Sequence, residues 1–228
     1  MDIAEAINTR RSIRAFKPDP VSYETLQDIL KVALQAPSWT NIQPWEFAIV
    51  TGTKLEEIRR SYLEKIGTEP NLDVPRPKVF PELFDTRRRI AIAQSQEAQG
   101  IKREDKEGRK DWERKQLTNF GSPCEIYIYT DRSFYLQETG INPWPVFDCG
   151  MVAENIMLLA TKYGLGTILQ AQAVAHPEIL RKALGISDSK LILVGLAIGY
   201  PDWESPLNKF KTSREQLSTL TKWFGFTT

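Results

Sequence analysis

The run Leu-Ile-Leu-Val-Gly-Leu-Ala-Ile-Gly-Tyr at 191–200 carries no polar side chain before its tyrosine. A strand with one wet face alternates apolar and polar residues, so a run that is apolar at every position must be covered on both faces. It predicts a strand at the centre of a sheet. It is also far shorter than the ~20 residues a membrane-spanning helix needs. Residues 146–163 place a similar demand on a helix. Met151, Ile156, Leu158 and Leu159, with the small Ala153 and Ala160, leave it apolar on most sides. That pattern predicts burial in the core or at a subunit interface, and Gly164 is a natural stop. A chain of 228 residues can bury such a core as one domain.

The remaining elements follow from local signals. Asp2-Ile3-Ala4-Glu5 has the form of a capping box and predicts a helix over 2–9. Ser22 caps a second helix whose Leu26, Ile29, Leu30 and Ala33 share one face, and which Pro37 ends. Residues 45–51 read as a strand broken by Gly52, after which Thr53-x-x-Glu56 opens a helix. Four prolines make 67–81 an extended loop. Residues 82–117 read as a polar helical stretch interrupted by Gly100 and Gly108. Residues 124–130 alternate as a strand, and 131–145 form a loop holding Trp144 between two prolines. A strand begins at 166–171, and a helix spans 177–184, closed by Gly185. The tail, 201–228, is polar but contains Trp203, Phe210, Leu217, Trp223 and Phe226, so it should pack on something, such as a partner subunit.

Composition removes several classes of function. Thirty basic against 29 acidic residues leave a net charge of +1, so no global field draws the chain to nucleic acid or to an anionic membrane. Within 86–115 there are 10 basic residues, but 6 acidic ones interleave them. Two cysteines, Cys124 and Cys149, and the lone His176 share no metal-ligand spacing. Free buried thiols are the simpler reading of the pair. His176 stands directly before Pro177, where capping a helix is a plainer role than serving a hydrolase as its base. The N-terminus lacks a basic-then-apolar signal pattern, and the expectation is a soluble, cytoplasmic protein.

Two short runs carry the chemistry. Arg10-Arg11-Ser12-Ile13-Arg14 puts three guanidinium groups and a hydroxyl within five residues. Such a cluster suits a phosphate, because arginine offers a planar fork of charge-assisted donors. It equally suits a solvated surface turn. The second run is Ala36-Pro37-Ser38-Trp39-Thr40-Asn41-Ile42-Gln43-Pro44-Trp45. Its prolines stiffen the backbone, and Ser38, Thr40, Asn41 and Gln43 offer hydrogen bonds around Trp39, an arrangement able to meet a flat heterocycle. For Trp45 and Phe47, core packing suffices.

Order and spacing then become informative. RRSIRAF, P-V-S-x-E-x-L and APSWTNIQPW are followed by Asn155-Ile156-Met157-Leu158-Leu159-Ala160, Gly164-Leu165-Gly166-Thr167, the apolar strand and Asn208-Lys209-Phe210-Lys211-Thr212-Ser213-Arg214-Glu215. The chain thereby resembles the flavin-dependent nitroreductase family nearly end to end, in a longer branch with a helical insert at about 82–117. The resemblance implies an α+β fold, with a mixed, mostly antiparallel sheet flanked by helices. It also implies an interlocked homodimer with two FMN sites at its interface, the tail from about 201 to 228 taking part. By the same resemblance Arg10, Ser12 and Arg214 hold the FMN phosphate with contacts from Arg11, and Lys211 also binds the cofactor. Arg14 lies near the N1/O2 edge of the flavin, where a positive charge tunes the cofactor. Pro37, Ser38, Trp39 and Asn41 border the flavin of the other subunit, and Leu169, Gln170 and Ala171 pass beside the ring. The sequence Ile168-Leu169-Gln170-Ala171-Gln172-Ala173 departs from the turn common in the family, so either Gln170 or Ala171 is the candidate main-chain donor to N5.

The implied activity is an FMN-dependent oxidoreductase. It would take hydride from NADH or NADPH and pass electrons, in ping-pong fashion, to a nitroaromatic, a quinone or a similar small acceptor. The chemistry resides in the cofactor, so no catalytic side chain is assigned, and no metal is required. Arg87 and Arg88 in the insert are candidates to meet an anionic substrate or the dinucleotide; a solvated charged helix explains them equally well. Rival readings are a dehalogenase-like flavin enzyme of the same superfamily, a flavin-binding protein without turnover, and a nucleic-acid binder acting through the insert.

Overall fold

Strand β6 (Lys190–Gly199) lies inside a four-stranded sheet of order β1-β2-β6-β5, as its composition requires. The computed structural model describes residues 1–100 and 105–226. Residues 101–104 of the expected insert and 227–228 of the expected tail lie outside the described residues. The partners of β6 are β2 (Cys124–Asp131) and β5 (Gly166–Gln170), and β1 (Glu46–Thr51) forms the far edge. All three pairings are antiparallel. The parallel component is an isolated bridge between Ser12 and Thr167.

Helices cover both faces. Helix α1 (Ile3–Thr9) is capped by Asp2, whose Oδ1 accepts the Glu5 N–H at 2.8 Å. Helix α2 (Tyr23–Ala33) is capped by Ser22. It stops at Ala33, and turns at Gln35 and Ala36 carry the chain to Pro37. Helix α3 (Gly52–Leu63) starts one residue before Thr53, so the capping position falls on Thr51 and the expected capping box does not form. The insert holds α4 (Glu82–Ala98) and α5 (Lys106–Leu117). Gly108 does not interrupt it: Gly108 lies in the first turn of α5 and donates its N–H to Asp105 Oδ1 at 2.8 Å.

The expected loop at 131–145 contains structure. A short α6 (Arg132–Tyr135) leads into a hairpin of β3 (Leu136–Gln137) and β4 (Gly140–Ile141). Trp144 begins α7 (Trp144–Lys162) rather than hanging between prolines. Pro145 fits the first helical turn because its missing N–H would have no partner there. At the other end of α7, Leu165 N–H bonds to Ala160 O and Gly164 N–H to Thr161 O. This is a Schellman closure that needs the positive φ of Gly164, 72°. Helix α8 (Pro177–Leu184) closes on Gly185, and α9 (Pro206–Lys209) and α10 (Leu217–Leu220) complete the chain.

Helices α2 and α7 pack on one face of the sheet around Ile29, Ile126, Ile156 and Leu196. Helices α3, α5 and α8 pack on the other around Leu55, Tyr62, Leu117, Tyr127 and Leu180. Strand β2 is therefore buried on both faces, although its sequence alternates. Full burial of each such aliphatic side chain contributes about 1.5–3 kcal/mol, enough to override weak local propensity in the polar helices. Among the described residues no helix is long and apolar enough to cross a membrane. Cys124 and Cys149 are free and buried.

Candidate functional site

The arginine run leaves α1 in an extended path beside β5. Ile13 N–H bonds to Thr167 O at 2.9 Å, and the buried Ile13 side chain lies over Gly166, where a Cβ would collide with it. This fixes the backbone of the arginine run against the sheet. From the far end of the chain, fully buried Asn208 clasps the same segment. Its Oδ1 accepts Arg14 N–H at 2.7 Å, and its Nδ2 donates to Ala15 O at 2.7 Å and Asp202 O at 2.8 Å.

The result is a cleft of about 270 Å³ lined by Arg10, Arg11, Ser12 and Arg14 on one side and Phe210, Lys211, Thr212 and Arg214 on the other. No carboxylate lines it among the described residues. Arg10 touches Glu154 at 3.5 Å. Arg11 lies over the Trp203 ring at 5.4 Å, and its Nε is buried without a partner among the described residues. Arg14 lies over Phe210 at 5.9 Å, and burial lowers its pKa. Arg214 bends back to Thr212 Oγ1 at 2.8 Å. Positive charge gathered on both walls, part-buried at Arg14 and exposed at Lys211 and Arg214, suits a phosphate dianion.

Arg14 also lines a second, larger cavity of about 530 Å³. Its floor is the end of β5 and the turn after it, Ile168 to Gln172. Its roof is α4 and α5, with Phe120 and Arg76 at the sides. Gln170 donates from Nε2 to Gln116 O at 3.3 Å, while its Oε1 is buried with no partner among the described residues. Trp112 and Phe120 pack with ring centroids 5.2 Å apart. Phe120 and Asn119 hold left-handed φ values of 53° and 55°. Such conformations cost about 1–3 kcal/mol each in a non-glycine residue, and here they deliver the Phe120 ring to the cavity.

The expected site residues divide into three groups. Arg10, Arg11, Ser12, Arg14, Lys211 and Arg214 share the cleft, while Leu169, Gln170, Ala171 and Arg88 share the larger cavity. Pro37, Ser38, Trp39 and Asn41 line neither. Their loop is held instead by Trp39 N–H to Asp148 Oδ2 at 3.1 Å and Gln43 N–H to Ser38 Oγ at 3.0 Å. Arg87 also stands outside, paired with Glu215 at 2.8 Å, where it ties α4 to the tail. His176 is buried against Tyr62 and lines neither cavity.

Sequence reasoning passed over Arg76, Arg109, Trp112, Gln116, Phe120 and the clasp role of Asn208. Trp112 carried a usable signal, as a lone indole in a polar helix. Spacings of three and four also put Arg109, Trp112 and Gln116 on one face of α5.

Comparison with known proteins places this geometry. The nitroreductase family model matches residues 7–200. Chloronitrobenzene nitroreductase of Comamonas testosteroni is 31% identical over 225 residues, covering 96% of this chain and 95% of that protein. The FMN- and NADPH-dependent nitroreductase NfnB of Sphigopyxis sp. strain HMH superposes with a TM-score of 0.93 at 30% identity, over 99% of this chain and 100% of the other. The FMN-dependent nitroreductase NfnB of Mycobacterium smegmatis, solved in complex with NADPH, gives 0.90 at 26% identity over 98% and 100%. A four-stranded antiparallel sheet, an arginine run laid beside β5 and a family match across most of the chain agree, and this protein belongs to the nitroreductase family.

Proposed function

We propose that this chain is an FMN-dependent oxidoreductase that takes hydride from NADH or NADPH and reduces a nitroaromatic, a quinone or a similar small acceptor. The observation that carries the reading is the pair of adjoining cavities joined at Arg14, one fit for a phosphate and the other large enough for a ring system. The residues suit FMN. Arg10, Ser12, Lys211 and Arg214, with Arg11, supply donors for its phosphate. Gln170, whose Oε1 is buried without a partner among the described residues, lines the cavity that would take the ring. Leu169, Gln170 and Ala171 form the edge beside it.

Bound FMN would supply the two-electron chemistry, receiving hydride from the nicotinamide and passing it to the acceptor in a separate half-reaction. For a nitro group the balance is Ar–NO2 + NAD(P)H + H⁺ → Ar–NO + NAD(P)⁺ + H2O. One N–O bond breaks, and its oxygen leaves as water. The chain's own residues bind, orient and exclude solvent. Among the described residues, no side chain lining the larger cavity is an acid or base suited to neutral pH, so water is the simplest source of the proton.

A homodimer completes this reading of 1–228 as one domain. Trp39 is 52% exposed outside both cavities, and Trp144, Phe147, Trp223, Phe224 and Phe226 expose further rings. A second copy that carries Pro37, Ser38, Trp39 and Asn41 to the neighbouring cavity gives both features a purpose. Two free thiols suit the cytoplasm.

The test is anaerobic. Purified protein is expected to take up FMN, show its visible spectrum and lose that colour on adding NADPH or NADH. Arg214→Ala is expected to weaken FMN binding about tenfold, the scale of one charge-assisted contact at an exposed rim. Protein that fails to bind added FMN refutes the assignment, and bound flavin that stays oxidised with both nucleotides leaves a binding protein without turnover.

A further inference from the structure

We propose that the larger cavity selects electron acceptors bearing an anionic group, such as a ring carboxylate, and that Arg109, with Arg76, anchors that group. The inference rests on the reading of this cavity as the site of reduction.

Four arginines line the cavity, and among its described lining residues there is no Asp or Glu. They arrive from four separate segments: Arg14 after α1, Arg76 from the proline-rich loop, Arg88 from α4 and Arg109 from α5. A local run of surface charge would not converge in this way. The insert has a net positive charge in sequence, and none of its described acids lines the cavity. Asp85 holds Arg88 from outside the cavity, accepting its Nε at 2.9 Å. Arg76 is aimed by a hydrogen bond to Gln172 Oε1 at 2.7 Å. Arg88 is thus already paired, whereas Arg76 and Arg109, exposed while lining the cavity, have no carboxylate partner among the described residues and are the charges left to meet an anion.

The rest of the lining fits an aromatic body. Arg109 is three residues before Trp112 on the inward face of α5, so a guanidinium and an indole stand side by side. Phe120 packs on that indole, and Ile92 supplies an apolar patch from α4. A ring with a charged substituent meets both surfaces at once. Arginine suits the carboxylate end because its planar fork binds two oxygens together. A phosphate of the nicotinamide dinucleotide shares this anion chemistry, and the test separates the two sources.

The experiment uses FMN-loaded wild type, Arg109→Gln and Arg76→Gln with 4-nitrobenzoate and its neutral methyl ester as acceptors. NADPH and NADH serve in turn as donors. Arg109→Gln is expected to lower kcat/KM for 4-nitrobenzoate about tenfold or more, with the ester within twofold of wild type, and with FMN content and the NADPH-to-NADH ratio unchanged. Arg76→Gln is expected to shift the same ratio in the same direction. Equal losses for carboxylate and ester would assign the arginines a structural role and overturn the proposal, as would an unchanged ratio in both variants. A collapse of the NADPH preference with the acceptor ratio intact would assign the anion to the donor and overturn it too. Wild-type protein that binds no FMN or reduces neither acceptor overturns the underlying assignment itself, so the two failures are distinguishable.

Discussion

Replacing Asn208 with alanine removes three hydrogen bonds from a side chain that is 0% exposed: one accepted from Arg14 N–H at 2.7 Å and two donated, to Ala15 O at 2.7 Å and Asp202 O at 2.8 Å. Each is worth about 1 kcal/mol net, and more if the orphaned backbone group stays dry. The expected loss is about 3 kcal/mol. For a chain of this length a kilocalorie corresponds to about 2–4 °C, so the apo protein should melt about 6–12 °C lower. Thermal unfolding at matched protomer concentration measures this, since association would itself shift the midpoint. Asn208→Asp keeps an acceptor for Arg14 but turns oxygen toward two carbonyls, so at neutral pH it should be at least as damaging. The functional readout is separate. If Asn208 joins the walls carrying Arg14 and Arg214, FMN binding measured well below either melting point also weakens. A lower melting point with unchanged FMN affinity would make Asn208 an ordinary core residue and refute the clasp. A midpoint within 2 °C of wild type would refute the hydrogen-bond arithmetic.

Gly166→Ala would bring a Cβ within 2.8 Å of Pro201 Cγ and closer still to Ile13. Overpacking of about 1–3 kcal/mol should lower the melting point and disturb the Ile13–Thr167 contact beneath the arginine run, and an unchanged midpoint would contradict it. The single His176 gives an unambiguous NMR titration, and burial holds its imidazole below the ordinary 6.5. Between that lowered pKa and pH 6.5 the unfolded chain binds more protons, so stability falls as pH falls through this window; an NMR midpoint above 6.5 would reverse the sign.

What could be read from the sequence was what local physics decides. The all-apolar run of β6 and the broad apolar surface of α7 have few alternative homes, and Gly164 closes α7 through a motif that its own conformation permits. Readings failed where one local signal was offset by another. Gly108 costs a helix interior about 1 kcal/mol, but Asp105 caps that first turn and the helix forms through it. Trp144 between two prolines resembles a loop, yet a proline in the first turn forfeits no hydrogen bond. The site was half legible for a related reason. Arginine clusters announce themselves within five residues, whereas Asn208 acts on backbone atoms 194 and 193 positions away and leaves no local pattern.

The loop at 38–43 carries the proposal of a second copy at the site. Thr40, Asn41 and Gln43 hold φ values of 47°, 60° and 46°, each costing on the order of 1–3 kcal/mol without a glycine. Buried Asp148 and the partly exposed Ser38 hold the loop in this shape by accepting hydrogen bonds from Trp39 N–H and Gln43 N–H. A chain gains little of its own by this expense, because Trp39, the largest side chain so displayed, stays half exposed. Strain maintained on a surface loop by a buried carboxylate fits the proposed role of the loop toward a second copy. The arginines of 10–14 already face a cleft within their own subunit. The loop faces none, which is the division expected if the second run serves the cavity of a partner copy and the first serves its own.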